Sequence, residues 1–420
     1  MKNNKGRYQK EEKKSEKKVL RRRYMSYEDV PLEDYQDEES AASGSMVGRI
    51  LKMFIILFLA VVAVLALSNI EKLTPENIAN WFQYDLLGKT DGSGYPVNFM
   101  GSAVSDGNFD LMNGVPIYCS DTTISVLNKN AGTYQESQHS FASPVLSVND
   151  GYAIVYNMDA TGYSIVKRDS VVHTSSVKQR ICAADVSTGG VYAILTKSKD
   201  YLSTLTVYRS DHLEKYKYSF ADYYMTSVSI NNSGSRAVLS GVSARNGGMT
   251  SVIYVLDFSE DSYVYKFEVD ETFIYSVKYL DNGNAFCVGS NSAFYIDIDD
   301  GTKTEIDYGS KTLTSFSLDR SYGMLLALSE NPDGRECDLL AYDKSCNCQC
   351  DIKTNKKVIS SDMTKNRFAI LTSEEIIVYD TDGSETASVK TESDAKKIVF
   401  CGNNTFYVLG KSMISRLEAQ

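Results

Sequence analysis

The 420-residue chain carries 44 Lys and Arg against 54 Asp and Glu, a net charge of −10. The imbalance is uneven: residues 1–52 hold 13 basic and 10 acidic side chains, and the remainder hold 31 and 44. So acidic a large part is excluded as a phosphate-backbone binder, which takes a basic face, while the length admits either several domains or one large all-β ring.

Residues 1–48 begin with a Lys/Arg-rich stretch and continue as YEDVPLEDYQDEES. Such composition buries too little apolar surface to offset chain entropy, so a disordered tail is expected, its basic run suited either to anionic lipid or to solvent. Residues 49–70 follow. From Met53 to Ile70 no charged side chain occurs in 18 residues, enough to cross a bilayer core of roughly 30 Å as a helix. Met53, Phe54, Ile55, Leu57, Phe58, Val61, Val64 and Leu67 would meet the lipid. Arg49 and Lys52 precede the span, backed by Arg21, Arg22 and Arg23, whereas only Lys72 and Lys89 follow closely. The positive-inside rule then puts the N-terminus in the cytoplasm and the rest of the chain outside the cell membrane. A cleaved signal peptide is the alternative, but the charged region before the span is far longer than such peptides carry.

Residues 71–94 read as a juxtamembrane helix and linker. Thr74 is placed as N-cap, Pro75 as first helical residue and Gly88 as C-cap. Ile78, Trp81, Phe82 and Leu86 share one helical side. Trp81, the sole tryptophan, and Phe82 suit either the membrane interface or packing on the next domain.

Residues 95–420 change to short runs of Val, Ile, Tyr, Phe and Thr between Asn, Asp, Gly and Ser turns, the signature of strands and hairpins. A repeat recurs, with units beginning at Val145, Ile181, Met225, Ile274, Leu313 and Val358, a period near 40 residues. Such a period with four strands per unit marks β-propeller blades. Further units begin at Phe109 and Lys396, the last with room for three strands. If Val97 to Val104 supplies the fourth, the chain ends pair and no sheet edge stays open. The expected fold is all-β, a propeller of eight blades, with seven the alternative count.

No catalytic motif of the G-x-S-x-G, H-E-x-x-H or phosphate-loop kind is present, and no cofactor is implied. His139, His173 and His212 lie in three different units, which reads as loop or strand-end residues rather than a metal site. DIDDG at Asp297 and DTDG at Asp380 resemble fragments of calcium loops but lack the distant glutamate, and read as hairpin turns. Cys119, Cys182, Cys287 and Cys401 sit alone in apolar runs, as buried thiols do. Cys346, Cys348 and Cys350, with Cys337 nearby, form a candidate thiol cluster. Strand alternation would put the first three on one face, yet the spacing matches no standard zinc motif. The 29 tyrosines suit sheet filling or a rim for a sugar or protein partner. Tyr223 and Tyr224 form the candidate binding patch.

The segments LTPENIANWFQYDLLG, GYPVNFMGSAV and QHSFASPVL resemble an uncharacterised family of single-pass membrane proteins of Gram-positive anaerobes, defined by a domain of unknown function. The resemblance implies a membrane-anchored propeller similar to quinoprotein-like and WD-repeat rings. Trp-Asp dipeptides and repeated tryptophan docking motifs are absent, which argues against a quinone cofactor. Together these readings lead to an expected binding or scaffold module for an envelope protein or wall polymer, rather than an enzyme. The alternative is a carbohydrate-active hydrolase or lyase with carboxylates in the central channel.

Overall fold

The computed structural model describes residues 92–420 apart from Asn246, Pro332 and Asn403. Residues 1–91, to which the expected tail, the expected membrane span and the expected juxtamembrane helix with Trp81 and Phe82 belong, lie outside the described residues. Among the described residues no helix is long and apolar enough to cross a membrane.

Eight four-stranded antiparallel sheets follow one another along the chain. Blades 1 to 7 span residues 104–138, 144–176, 181–220, 224–270, 274–307, 312–354 and 360–390. Blade 8 takes three strands from residues 397–418 and its outer strand from Val97–Asn98, which pairs with Ile414 and Met413. The eight-blade count and the closure by the two chain ends therefore hold. The closing strand is shorter than expected, because Val104 already begins blade 1 as the first residue of the strand Val104–Met112. First strands pack side by side around the axis, as Ile181–Val186 does on Tyr224–Ile230 and Val104–Met112 on Lys397–Phe400.

Alternation along each strand sends side chains to the two neighbouring blades. The apolar core is consequently divided into layers between blades. Leu205, Val207, Leu239 and Leu256 fill the layer between blades 3 and 4. Phe109 and Tyr118 of blade 1 meet Tyr407, Leu409 and Ile414 of blade 8 at the seam where the ring closes.

Four consecutive blades carry a bulge at a similar place, one or two residues into the first strand. Cys182, Thr226, Tyr275 and Thr314 lie there between shifted partners. A bulge bends the strand and sharpens its twist, which suits strands converging on an axis. The Asp-rich segments are hairpin turns. The Asp297 carboxylate accepts from the amides of Asp299 and Asp300, and Gly301 takes a positive φ of 67°. Because the antiparallel strands alternate direction, turns between first and second and between third and fourth strands share one face, the lower. The remaining connections form the upper face.

Since Val97 contributes one of only two residue pairs holding the closing strand, Val97→Pro removes its amide donor and exposes the edge of Met413–Glu418. The variant is expected to lose several degrees of Tm and to scatter light on heating. An unchanged thermal transition would contradict this account of closure.

Candidate functional site

Close to the axis neighbouring blades crowd together, and the first strands carry small or polar residues there: ICAADV, IYSVKY and SSDM are examples. These residues bond from blade to blade around the whole ring. Asn108 of blade 1 donates to Pro144 O (2.8 Å) and accepts from Leu146 N (2.9 Å) of blade 2. Ser147 Oγ donates to Asp185 of blade 3 (2.7 Å). Asp185 accepts from Ser229 Oγ (3.2 Å) and Ile230 N (2.8 Å) of blade 4. Tyr279 N of blade 5 donates to Ser229 Oγ (3.1 Å).

Arg320, which follows the first strand of blade 6, donates through Nη1 to Tyr279 O (3.3 Å) and Ile230 O (2.6 Å). Its Nη2 reaches the Asp185 carboxylate at 3.0 Å. Ser317 Oγ donates to Asp362 of blade 7 (3.2 Å), and Asp362 accepts from Phe400 N of blade 8 (2.8 Å). Lys397 Nζ returns to Phe109 O of blade 1 (2.6 Å), completing the circle.

Charged groups of the first strands influence one another at this collar. The Asp362 carboxyl is pushed up to about 7, first by burial and then by the negative charge of Asp319 and Asp110. Asp319 is raised by burial, with Lys278 opposing. Burial, and next the positive charge of Arg320, lowers Lys278. A carboxyl that titrates near neutrality among other carboxyls can hold or release a proton, a property that concentrates at functional sites and also accompanies purely structural networks. Among the described residues no group of three His, Cys, Asp or Glu side chains is arranged to hold a metal ion.

The residues singled out from sequence are placed differently. Tyr223 is fully buried, not part of a surface patch. Its hydroxyl donates to Glu268 (2.6 Å), and its ring lies between the Arg245 guanidinium (4.9 Å) and Lys266 Nζ (5.1 Å). Only Tyr224 is exposed, at 56%.

The four cysteines do not converge. Cys346 is in a turn with φ 64° and packs between blades 5 and 6, whereas Cys350 packs between blades 6 and 7. A bulge opposite Tyr342 interrupts the alternation. Cys348 is exposed, and buried Cys337 sits at the far end of the neighbouring strand, its thiol donating to Gly334 O (3.2 Å). All eight cysteines are free thiols.

Two of the histidines, expected to be remote, are in contact. The rings of His173 from blade 2 and His212 from blade 3 stack with centroids 3.8 Å apart and a 12° interplanar angle. The collar residues Asp185, Arg320 and Asp362, and Lys278 near them, escaped the sequence reading. Their one local signal is a charged side chain inside or just after an apolar first strand.

A profile of the family described as "Family of unknown function (DUF5711)" matches residues 97–418. No curated protein matches. Among solved structures, BamB from Moraxella catarrhalis is similar at 12% identity and TM-score 0.50, covering 77% of this chain and 100% of that one. The C-terminal WD40 domain of Sif2 is similar at 10% identity and TM-score 0.55, covering 79% and 99%. At such identities the likeness is one of fold.

Removing one partner of a buried ion pair leaves the other uncompensated, at about 3–5 kcal/mol. Arg320→Met is expected to destabilise the ring by that order in denaturant unfolding, and Asp185→Leu added to it should restore part of the loss. Asp362 keeps its proton in the folded ring between its ordinary 3.8 and about 7. Stability therefore falls as pH rises through that window, by up to ~1.4 kcal/mol per pH unit. Asp362→Asn should flatten the dependence of Tm on pH between 4 and 7; an unaltered slope would count against this assignment.

Proposed function

The chain belongs to the family of unknown function DUF5711, and we propose that it is a membrane-anchored, extracytoplasmic binding or scaffold module for an envelope protein or wall polymer. One observation carries the binding role: the collar side chains Asn108, Asp185, Arg320, Asp362 and Lys397 are committed to blade-to-blade bonds, while tyrosines are exposed on the upper face of three consecutive blades. Tyr201, Tyr224 and Tyr275 are 50%, 56% and 52% exposed. A phenol offers broad apolar area with a polar tip, the composition of interface anchors. The apolar run from Met53 to Ile70 and the basic residues before it support the anchor and its orientation.

A second reading, a hydrolase or lyase acting on a wall or capsule sugar, is favoured by the mutual influence of Asp362, Asp319 and Asp110 in the lumen. Glycoside chemistry uses two carboxyls with separated proton affinities. Release of reducing ends from wall polysaccharide, lost in Asp362→Asn, would carry that reading over the first.

In whole cells of an expressing host, a membrane-impermeant maleimide is expected to label the exposed Cys348 of the full chain, and Cys348→Ser should remove most of the signal. Labelling only after lysis would overturn the orientation. Co-sedimentation with isolated wall material or envelope tests the role. Tyr201, Tyr224 and Tyr275 changed together to Ala should weaken it at least tenfold, whereas absence of wild-type binding to either preparation would refute the proposal.

A further inference from the structure

The outer parts of blades 2 and 3 meet through two imidazoles. His173 lies in Val171–Ser176, the outer strand of blade 2, opposite Ile165. His212 occupies the turn before Glu214–Phe220, the outer strand of blade 3, with φ at 68° and its amide donating to Arg209 O (2.9 Å). The rings lie face to face, centroids 3.8 Å apart and planes 12° from parallel. Both side chains are half-buried. Beside them the layer between the blades is aromatic: the Tyr163 and Tyr192 hydroxyls are 3.2 Å apart, and both tyrosines are buried.

Such a stack tolerates little positive charge. Neutral aromatic rings in contact attract one another, whereas two imidazolium rings at that separation repel with no solvent between them. The neighbouring groups supply no counter-ion. From blade 2, the Tyr163 ring stands 5.9 Å from His173, and Lys167 lies over the Tyr152 ring, 5.0 Å from its centroid. From blade 3, the Tyr192 hydroxyl is 3.4 Å from His212 Nδ1, and the Tyr192 ring stacks on Tyr208, whose hydroxyl feels the charge of Glu214. Arg209 and Asp211, which flank His212, pair with each other. Among the described residues no carboxylate pairs with either imidazole.

We propose that His173 and His212 form an acid-sensitive latch: neutral, their stack holds the outer parts of blades 2 and 3 together, and protonated, it parts and loosens the outer strand of blade 2. The latch needs nothing from the partner proposed for the upper face. The first proton enters a site without a carboxylate partner, and the second is added beside a like charge. Burial, and next the charge of His212, accordingly lowers His173 below its ordinary 6.5. As pH falls the unfolded chain takes up this proton first. The contribution to stability is therefore full above 6.5 and is lost as pH drops through the lowered value. Asp362 acts with the opposite sign, so the test compares chains that share it.

Hydrogen exchange of the full chain in detergent, at about pH 7.5 and about pH 5 and corrected for intrinsic rates, tests the latch. Peptides covering Val171–Ser176 and the turn at His212 are expected to exchange roughly tenfold faster at the lower pH, while Ala285–Gly289 of blade 5 changes little. His173→Phe keeps a stacked ring that takes no proton and offers a charged His212 its π face, so it should abolish the acid effect. No acceleration in the wild type, equal acceleration in every blade, or an undiminished effect in His173→Phe would each overturn the latch. A second measurement stands if that variant folds poorly: the three histidines are labelled and titrated by NMR. His173 is expected to titrate below 6.5 and to move up in His212→Asn, since Asn tolerates the positive φ. A midpoint at or above 6.5, or one that His212→Asn leaves in place, would equally overturn it.

Discussion

The guanidinium of Arg320 laid against the Asp185 carboxylate is the contact on which the inner wall depends. The two residues are 135 positions apart, and through their shared partners they join blades 2 to 6. A buried ion pair is by itself weak evidence of stability, since desolvating both charges offsets most of their attraction. Its effect here is geometric. Asp185 accepts four hydrogen bonds from three other blades, so the angle between blades cannot drift without breaking several of them. Ser317, Asp362, Lys397 and Asn108 extend the constraint through blades 7, 8 and 1 by bonding mainly to backbone groups of the next blade.

Outside that collar the ring is held by layers that each belong to two blades. No blade owns a core, and a single four-stranded sheet would leave both faces exposed. Stability therefore comes from nearest neighbours, as in other repeat architectures, and the seam between blades 8 and 1 is the exception in sequence distance. The two-residue strand Val97–Asn98 makes that seam. Arranged so, most of the sequence can vary provided each strand keeps its alternation, while seam and collar admit few substitutions.

Such a scaffold separates roles by location. The axis is occupied by groups that tie blades together and by a few carboxyls whose protonation they influence. Both faces consist of turns, which rigid blades present without having to order them. The exposed tyrosines of the upper face sit on such rigid supports, and a surface of that kind loses less entropy on binding than flexible loops do.

Much of this was legible in the chain. Alternation and turn residues are local properties, so strand positions, the period near 40 residues, the eight blades and closure through Val97 could all be read by counting. The hairpin nature of the Asp-Gly turns was legible for the same reason. Tyr223 and Tyr224 show where reading stops: adjacent residues on a strand point to opposite sides, and only the neighbouring blade determined that Tyr223 would be enclosed by Arg245, Lys266 and Glu268. The cysteines failed as a cluster because one bulge and one turn divided them between two layers. His173 and His212, 39 positions apart in sequence, meet because consecutive blades place their outer parts side by side. Arg320 carries no local sign that it reaches Asp185. The sequence by itself determined the blades and favoured eight of them over seven, since each blade depends on neighbours a few positions away. The tertiary structure alone decided the collar and the exposed tyrosines, since those depend on the rotation between one blade and the next.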